Sequence, residues 1–159
     1  MIVVADTSSL NYLLRMGRVE LLQTLYQEVI FPHAVRDEML AVGAPLVVRT
    51  WAAQLPDWVN VMSVGRMDPS LPRRLGPGER EAISLALEIS ADVVLMDDQP
   101  ARIAAENRGL LVSGTLSVLL QASRRSLIDF ELAIAELKGL GFRISEAVET
   151  KMRGLSKKT

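Results

Sequence analysis

Six carboxylates stand where chemistry is possible: Asp6, Glu38, Glu79, Glu81, Asp97 and Asp98. Asp6 closes the apolar run Ile2–Ala5, and Asp97 with Asp98 closes DVVLMDD, so both acid positions fall at the carboxyl ends of buried strands. In an open α/β sheet functional groups collect beyond those ends, near the point where strand order reverses. Acids far apart in sequence are therefore expected to converge. Several carboxylates within a few Å repel and desolvate one another unless a cation neutralises them. The sequence has one His and no Cys, which leaves oxygen ligands and a hard cation, Mg²⁺ or Mn²⁺.

Two helices are placed to add acids to the same rim. In PHAVRDEMLA, Val35, Met39 and Val42 mark an apolar stripe, and Glu38 lies beside it. In GPGEREAISLA, Glu79 and Glu81 occupy the first turn of a helix whose later turns are apolar. Carboxylates there also favour the helix dipole, so a purely structural role competes with a ligating one.

The elements that must position these groups follow from pattern. The chain of 159 residues suits one domain; it is rich in Val, Leu, Ile and Ala, with only 4% aromatics, the make-up of helices on a parallel sheet. Ile2–Ala5 predicts a strand and Thr7, Ser8 and Ser9 a capped helix start. A helix over Val19–Tyr26, a strand over Glu28–Phe31 stopped by Pro32, and helices over His33–Leu40 and Leu46–Gln54 follow. Trp58–Val64 alternates like a strand, and Arg66–Pro77 is a loop that leads into the GPG helix. Then come DVVLMDD as a strand, Gln99–Arg108 as a helix, LLVSGT as a short strand, and helices over Thr115–Ser123, Asp129–Leu140 and Ser145–Gly154. This β-α order with crossovers predicts a mostly parallel sheet covered on both faces.

Composition sets outer limits. A net charge of −1 from 18 basic and 19 acidic side chains excludes a uniformly basic nucleic-acid coat. Without Cys there is no disulfide framework, which is compatible with a cytoplasmic location, and no apolar stretch approaches the ~20 residues of a membrane span, so no membrane association is expected. The lone His33 reads as a surface or capping residue, and Trp51 and Trp58 as packing residues.

VVADTSSL, PHAVRDEML, GEREAISLA, DVVLMDD and GLLVSGTLSVLL, in this order, resemble the PIN-like domains, in particular the subgroup with D-T-S, G-E-x-E-A-I and L-x-D-D motifs that includes toxin-type ribonucleases. The resemblance runs from Ile2 to about Leu120. It implies a three-layer α/β/α domain and a divalent-metal-dependent endoribonuclease that hydrolyses phosphodiester bonds, in some relatives as the toxin of a toxin–antitoxin pair. Carried over by position, Asp6 matches the first family acid, Glu38 the second, Glu79 or Glu81 the third, and Asp97 or Asp98 the fourth. The chain departs from most toxin relatives in carrying Glu as third acid and Leu95 where they have Thr or Ser.

The implied roles are metal binding by this set, with Asp6, Glu38, Glu81 and Asp97 as the catalytic candidates and Glu38 as base where it does not ligate. Thr7, Ser8 and Thr115, with Ser113 as an alternative to Thr115, support them. Arg73, Arg74 and Arg80 are candidates for phosphate contacts, beside Arg66, Arg102 and Arg108. An RNA substrate, an antitoxin-like protein and a second copy of the chain are the expected partners. Residues 1–155 are read as one PIN-like domain, with 129–155 a C-terminal helical extension packed on it or on a partner, and 156–159 as a frayed tail.

Overall fold

The computed structural model describes residues 1–157. Within them five short strands, β1 (Val3–Ala5), β2 (Val29–Pro32), β3 (Val59–Met62), β4 (Val93–Leu95) and β5 (Val112–Ser113), form one all-parallel sheet in the order β3-β2-β1-β4-β5. The chain builds outward from β1 to β2 and β3, then returns to the other side of β1 to lay down β4 and β5. Strand order therefore reverses between β1 and β4, and the crevice beyond their carboxyl ends is the expected place for a site.

Alternation along the strands divides the core. Val3, Ala5, Val29, Phe31, Val59, Val93 and Leu95 point to one face, where they pack with Leu10, Leu13 and Leu14 of α1 (Thr7–Arg15) and Leu22 of α2 (Leu21–Tyr26). Residues of α3 (His33–Leu40), α4 (Leu46–Ala53), α7 (Thr115–Arg124) and α8 (Phe130–Gly139) extend that cluster. Val4, Val94 and Met96 point to the other face, against Ala82, Ile83, Leu85 and Ala86 of α5 (Pro77–Glu88) and Ala101, Ala104 and Ala105 of α6 (Gln99–Glu106). The result is the three-layer α/β arrangement that the alternating pattern predicts, with each buried apolar side chain worth about 1.5–3 kcal/mol.

Element boundaries differ from the expected ones by a few residues at most. The helix expected over Val19–Tyr26 starts at Leu21, and Pro32 closes β2 while remaining paired with Met62. The C-terminal segment consists of α8, capped by Asp129, and α9 (Glu146–Ser156), capped by Ser145. Phe130, Ala133, Ile134 and Leu137 are buried, whereas α9 buries no residue and is tied to α8 by Lys138–Glu149 at 2.6 Å and by Arg153–Glu131. Of the tail 156–159, Ser156 ends α9 and Lys157 caps it, and the last two residues lie outside the described ones. Among the described residues no helix is long and apolar enough to cross a membrane.

Candidate active site at the strand switch point

Asp6 is the residue after β1, and its backbone N–H donates to the Leu95 carbonyl at 2.8 Å, which ties it to the end of β4. It is 2% exposed. One oxygen, Oδ1, accepts the Thr7 N–H at 2.6 Å and so caps α1; Oδ2 has only the Ser8 hydroxyl, at 3.5 Å. Burial pushes the carboxyl up to about 7; the Thr7 N–H partly offsets this, and the negative charges of Glu79, Glu38 and Asp97 add to it.

The other acids fall into two kinds. Glu38, on α3, reaches the first turn of α5, where Oε1 accepts the Gly78 N–H at 3.0 Å and Oε2 accepts the Thr7 hydroxyl. This close approach requires a glycine: a Cβ at position 78 would sit 2.7 Å from the Glu38 carboxyl carbon. Asp97 is engaged as fully, Oδ1 accepting the Thr115 N–H at 2.8 Å and Oδ2 the Thr115 hydroxyl at 2.6 Å and the Ser9 hydroxyl at 3.3 Å. Its own N–H donates to Ser8 Oγ at 3.2 Å, and Gly114 leaves room for it, since a Cβ there would lie 2.6 Å from Oδ1. Glu38 and Asp97 are thus anchored at both oxygens, and each fastens a helix start to the rim.

Glu79 and Asp98 are the open pair. Glu79 uses Oε1 to accept the Gly76 N–H at 2.9 Å. Desolvation raises its pKa first, the Gly76 N–H opposes this, and the Asp98 and Glu38 carboxylates raise it further, Asp98 lying within hydrogen-bonding reach. Asp98 is exposed and, although it stands at the N-cap of α6, its side chain does not cap that helix. Asp6, Glu38, Glu79 and Asp98 line one open cleft, together with Thr7, Ser8, Asn11, Tyr12, Arg15 and Arg74. Asp97 stands behind Asp6 and does not line it.

The remaining sequence candidates lie elsewhere. Glu81 Oε1 accepts the Ala34 N–H at 3.2 Å and caps α3. Two residues on a helix point nearly opposite ways, so Glu79 and Glu81 cannot share one direction. Ser113 turns toward Tyr26 on another surface. Arg80 bonds the Pro72 carbonyl and Arg102 the Met96 carbonyl, whereas Arg73 is exposed and outside the lining of the cleft. Arg108 pairs with Asp68 at 2.6 Å and bonds Ser70, pinning the loop that carries Arg73 and Arg74. Trp51 packs between Phe31 and Trp58 with ring centres 6.3 and 6.1 Å away. Asn11, Tyr12 and Arg15 were not among the sequence candidates, although with Ser8 they recur at helical spacing on one face of α1.

None of the six carboxylates has an ion-pair partner among the described residues, and Asp6 is a buried acid among acids. Among the described residues no three acidic or His side chains gather tightly enough to make a closed cage. Oxygen donors in pairs around an open cleft fit a largely hydrated ion such as Mg²⁺, which takes one or two carboxylates and keeps several waters.

Comparison with known proteins agrees with the fold. A family model described as a PIN domain matches residues 2–158. A PilT N-terminus domain protein from the hyperthermophilic archaeon Sulfolobus solfataricus P2 superposes with a TM-score of 0.57 and 17% identity, over 77% of this chain and 93% of the other. No curated protein matches by sequence.

Proposed function

The chain belongs to the PIN-domain family, and from that premise we propose that it is a divalent-metal-dependent endoribonuclease that hydrolyses phosphodiester bonds, acting as the toxin of a toxin–antitoxin pair. The observation that carries the reading is the switch-point cleft, where a buried Asp6 meets Glu79 and Asp98 with no ion-pair partner for any of them.

In this reading the uncommitted oxygens of Asp6, Glu79 and Asp98 would hold Mg²⁺ or Mn²⁺, one or two of them directly and the rest through its waters. The chemistry such an ion supplies is Lewis-acid stabilisation of the charge that develops on the phosphodiester. The chain does the rest. Glu38 and Asp97 act as struts: Glu38 joins α3 to α5 and α1, and Asp97 fixes α7 and the Ser8–Ser9 turn, so the open oxygens are held by fully hydrogen-bonded neighbours. Ser8 and Thr7 orient Asp6 and Glu38. Asp6, pushed up to about 7, shares Oδ2 between a proton and a cation near neutral pH, so a bound cation would take the place of that proton. Arg74 brings a positive charge to the acid rim.

A small antitoxin-like protein and a second copy of the chain are the partners of this reading. It is supported by the exposed apolar run at the end of α3 and the start of α4, where Val42 is 91% and Leu46 70% exposed.

The deciding experiment is cleavage of mixed-sequence single-stranded RNA with Mn²⁺ or Mg²⁺, with single-stranded DNA in parallel and Asp6→Asn and Asp98→Asn as controls. We expect RNA cut at internal positions, loss with EDTA, and loss in both variants. Turnover retained by Asp98→Asn, or none by the wild type across metals and pH, rejects the proposal.

A further inference from the structure

Most arginines of the chain are committed. Arg18, Arg108 and Arg153 pair with carboxylates, and Arg36, Arg49, Arg80, Arg102 and Arg125 donate to backbone carbonyls. Two that line the acid cleft, Arg15 and Arg74, are different: among the described residues neither has an ion pair or a hydrogen bond. Two free guanidinium groups beside four carboxylates, none within 4.0 Å of an acid, are not explained by charge neutralisation inside the protein. Their place in the layers adds a direction. Arg15 ends α1, which packs on one face of the sheet, and Arg74 lies in the loop before α5, which packs on the other. The cleft runs across the carboxyl edge of the sheet with a cation from each helix layer.

Arg15 is also held in place. Its guanidinium lies over the Tyr12 ring, 5.9 Å from the centroid, and the Tyr12 ring meets that of Phe142 in a T-shaped contact at 5.0 Å. Phe142 belongs to the turn between α8 and α9, so the C-terminal segment buttresses the α1 wall of the cleft. Along α1, Ser8, Asn11, Tyr12 and Arg15 make a polar face that runs from beside Asp6 to Arg15, about 10 Å from Ser8 to Arg15 at ~1.5 Å per residue.

We propose that Arg15 and Arg74 form a two-cation clamp that grips the backbone phosphates on either side of the bond over the acids, with Tyr12 and Phe142 positioning Arg15. The ligand is then a single-stranded polynucleotide bound by an internal stretch; a mononucleotide offers one phosphate and fills only half of the clamp. This rests on the nuclease reading of the same cleft and extends it to the substrate's form. A flexible single strand suits a cleft with one cation on each wall, because its backbone bends to reach both.

The test is binding without turnover. A 5′-fluorescein single-stranded oligoribonucleotide of about eight residues is titrated with wild type, Arg15→Gln, Arg74→Gln and the double variant in EDTA, by anisotropy over a range of salt. Each single change should weaken binding about three- to tenfold at low salt. Each should also lower the slope of log K against log salt by about 0.7, the value for one single-strand phosphate contact. Tyr12→Phe keeps the ring and should bind as wild type, whereas Phe142→Ala should weaken binding in the same direction as Arg15→Gln without further loss when the two are combined. Uridine monophosphate should fail to compete at concentrations where an unlabelled oligomer does. Wild-type binding with unchanged affinity and salt slope in Arg15→Gln overturns the clamp and leaves the nuclease reading standing. No binding and no cleavage of any polynucleotide by the wild type overturns both.

Discussion

Replacing Asp6 by Asn should make the metal-free protein more stable, and more so as pH rises. Asn keeps the Oδ1 acceptor that caps α1 through Thr7, and its amide nitrogen takes the place of Oδ2 beside the Ser8 hydroxyl and the neighbouring carboxylates. What it removes is the cost of ionising a buried acid. The displacement from 3.8 to about 7 corresponds to about 4 kcal/mol at ~1.4 kcal/mol per pH unit. The folded state binds a proton more tightly than the unfolded one, so this contribution leaves stability intact below the unfolded value. It erodes stability as pH rises between 3.8 and about 7, and levels off above that. Wild type in EDTA should therefore lose about 2–3 kcal/mol from this group between pH 5 and pH 8, and Asp6→Asn should not. Urea denaturation of both proteins at the two pH values, repeated with millimolar Mn²⁺, makes the measurement. With the cation the wild type should gain and the variant should not. A variant less stable than wild type at pH 8 in EDTA, or one with the same pH dependence, refutes the assignment of Asp6 as a buried, unneutralised acid.

Other outcomes follow from the same geometry. Gly78→Ala should destabilise by about 1–3 kcal/mol, because the new Cβ meets the Glu38 carboxyl and breaks its bond to the helix start; thermal melts of Gly78→Ala and Glu38→Gln should fall together. Thr115→Val removes a fully buried hydroxyl that Asp97 accepts and should cost about 1–2 kcal/mol, whereas Asp98→Ala should stay within ~0.5 kcal/mol of wild type in EDTA yet abolish metal-dependent cleavage. Arg108→Ala frees the loop that Asp68 and Ser70 hold, and limited proteolysis should cut between Gly65 and Gly76 faster than in wild type. Below about 7, Mn²⁺ binding must displace the Asp6 proton, so calorimetry in two buffers at pH 6 should show close to one proton released and an affinity about tenfold weaker per unit of falling pH.

Much of this was legible because it is local. An apolar run that ends in an acid marks a buried strand and its carboxyl end, so Asp6 and the Asp97–Asp98 pair could be placed on one rim, and a mostly parallel α/β sheet, which is all-parallel in the structure, followed from the alternation of elements. What was not legible depends on which way a side chain faces. Glu79 and Glu81 sit in the same helical turn, and only the packing of α5 against α3 sends Glu81 to the Ala34 N–H and leaves Glu79 in the cleft. Asp97 and Asp98 are adjacent, and the choice between them is made by Thr115, eighteen residues on. The Ser8–Asn11–Tyr12–Arg15 face reads as ordinary solvated helix until Phe142, from the far end of the chain, is seen behind Tyr12.

The division between anchored and open carboxylates explains how the fold tolerates its own site. Glu38 and Asp97 commit both oxygens to hydrogen bonds, so they bring charge to the rim while holding α5 and α7 to it. Their charge falls on Asp6, which is buried and has one strong bond, and burial with these neighbours moves it to where a proton and a cation compete near neutral pH. Glycine at 78 and 114 makes this possible, because any side chain there would push the struts away and let the open oxygens drift. The electrostatic cost of the site falls most heavily on Asp6, the buried member of the set, which is why a single amide at that position is expected to relieve it.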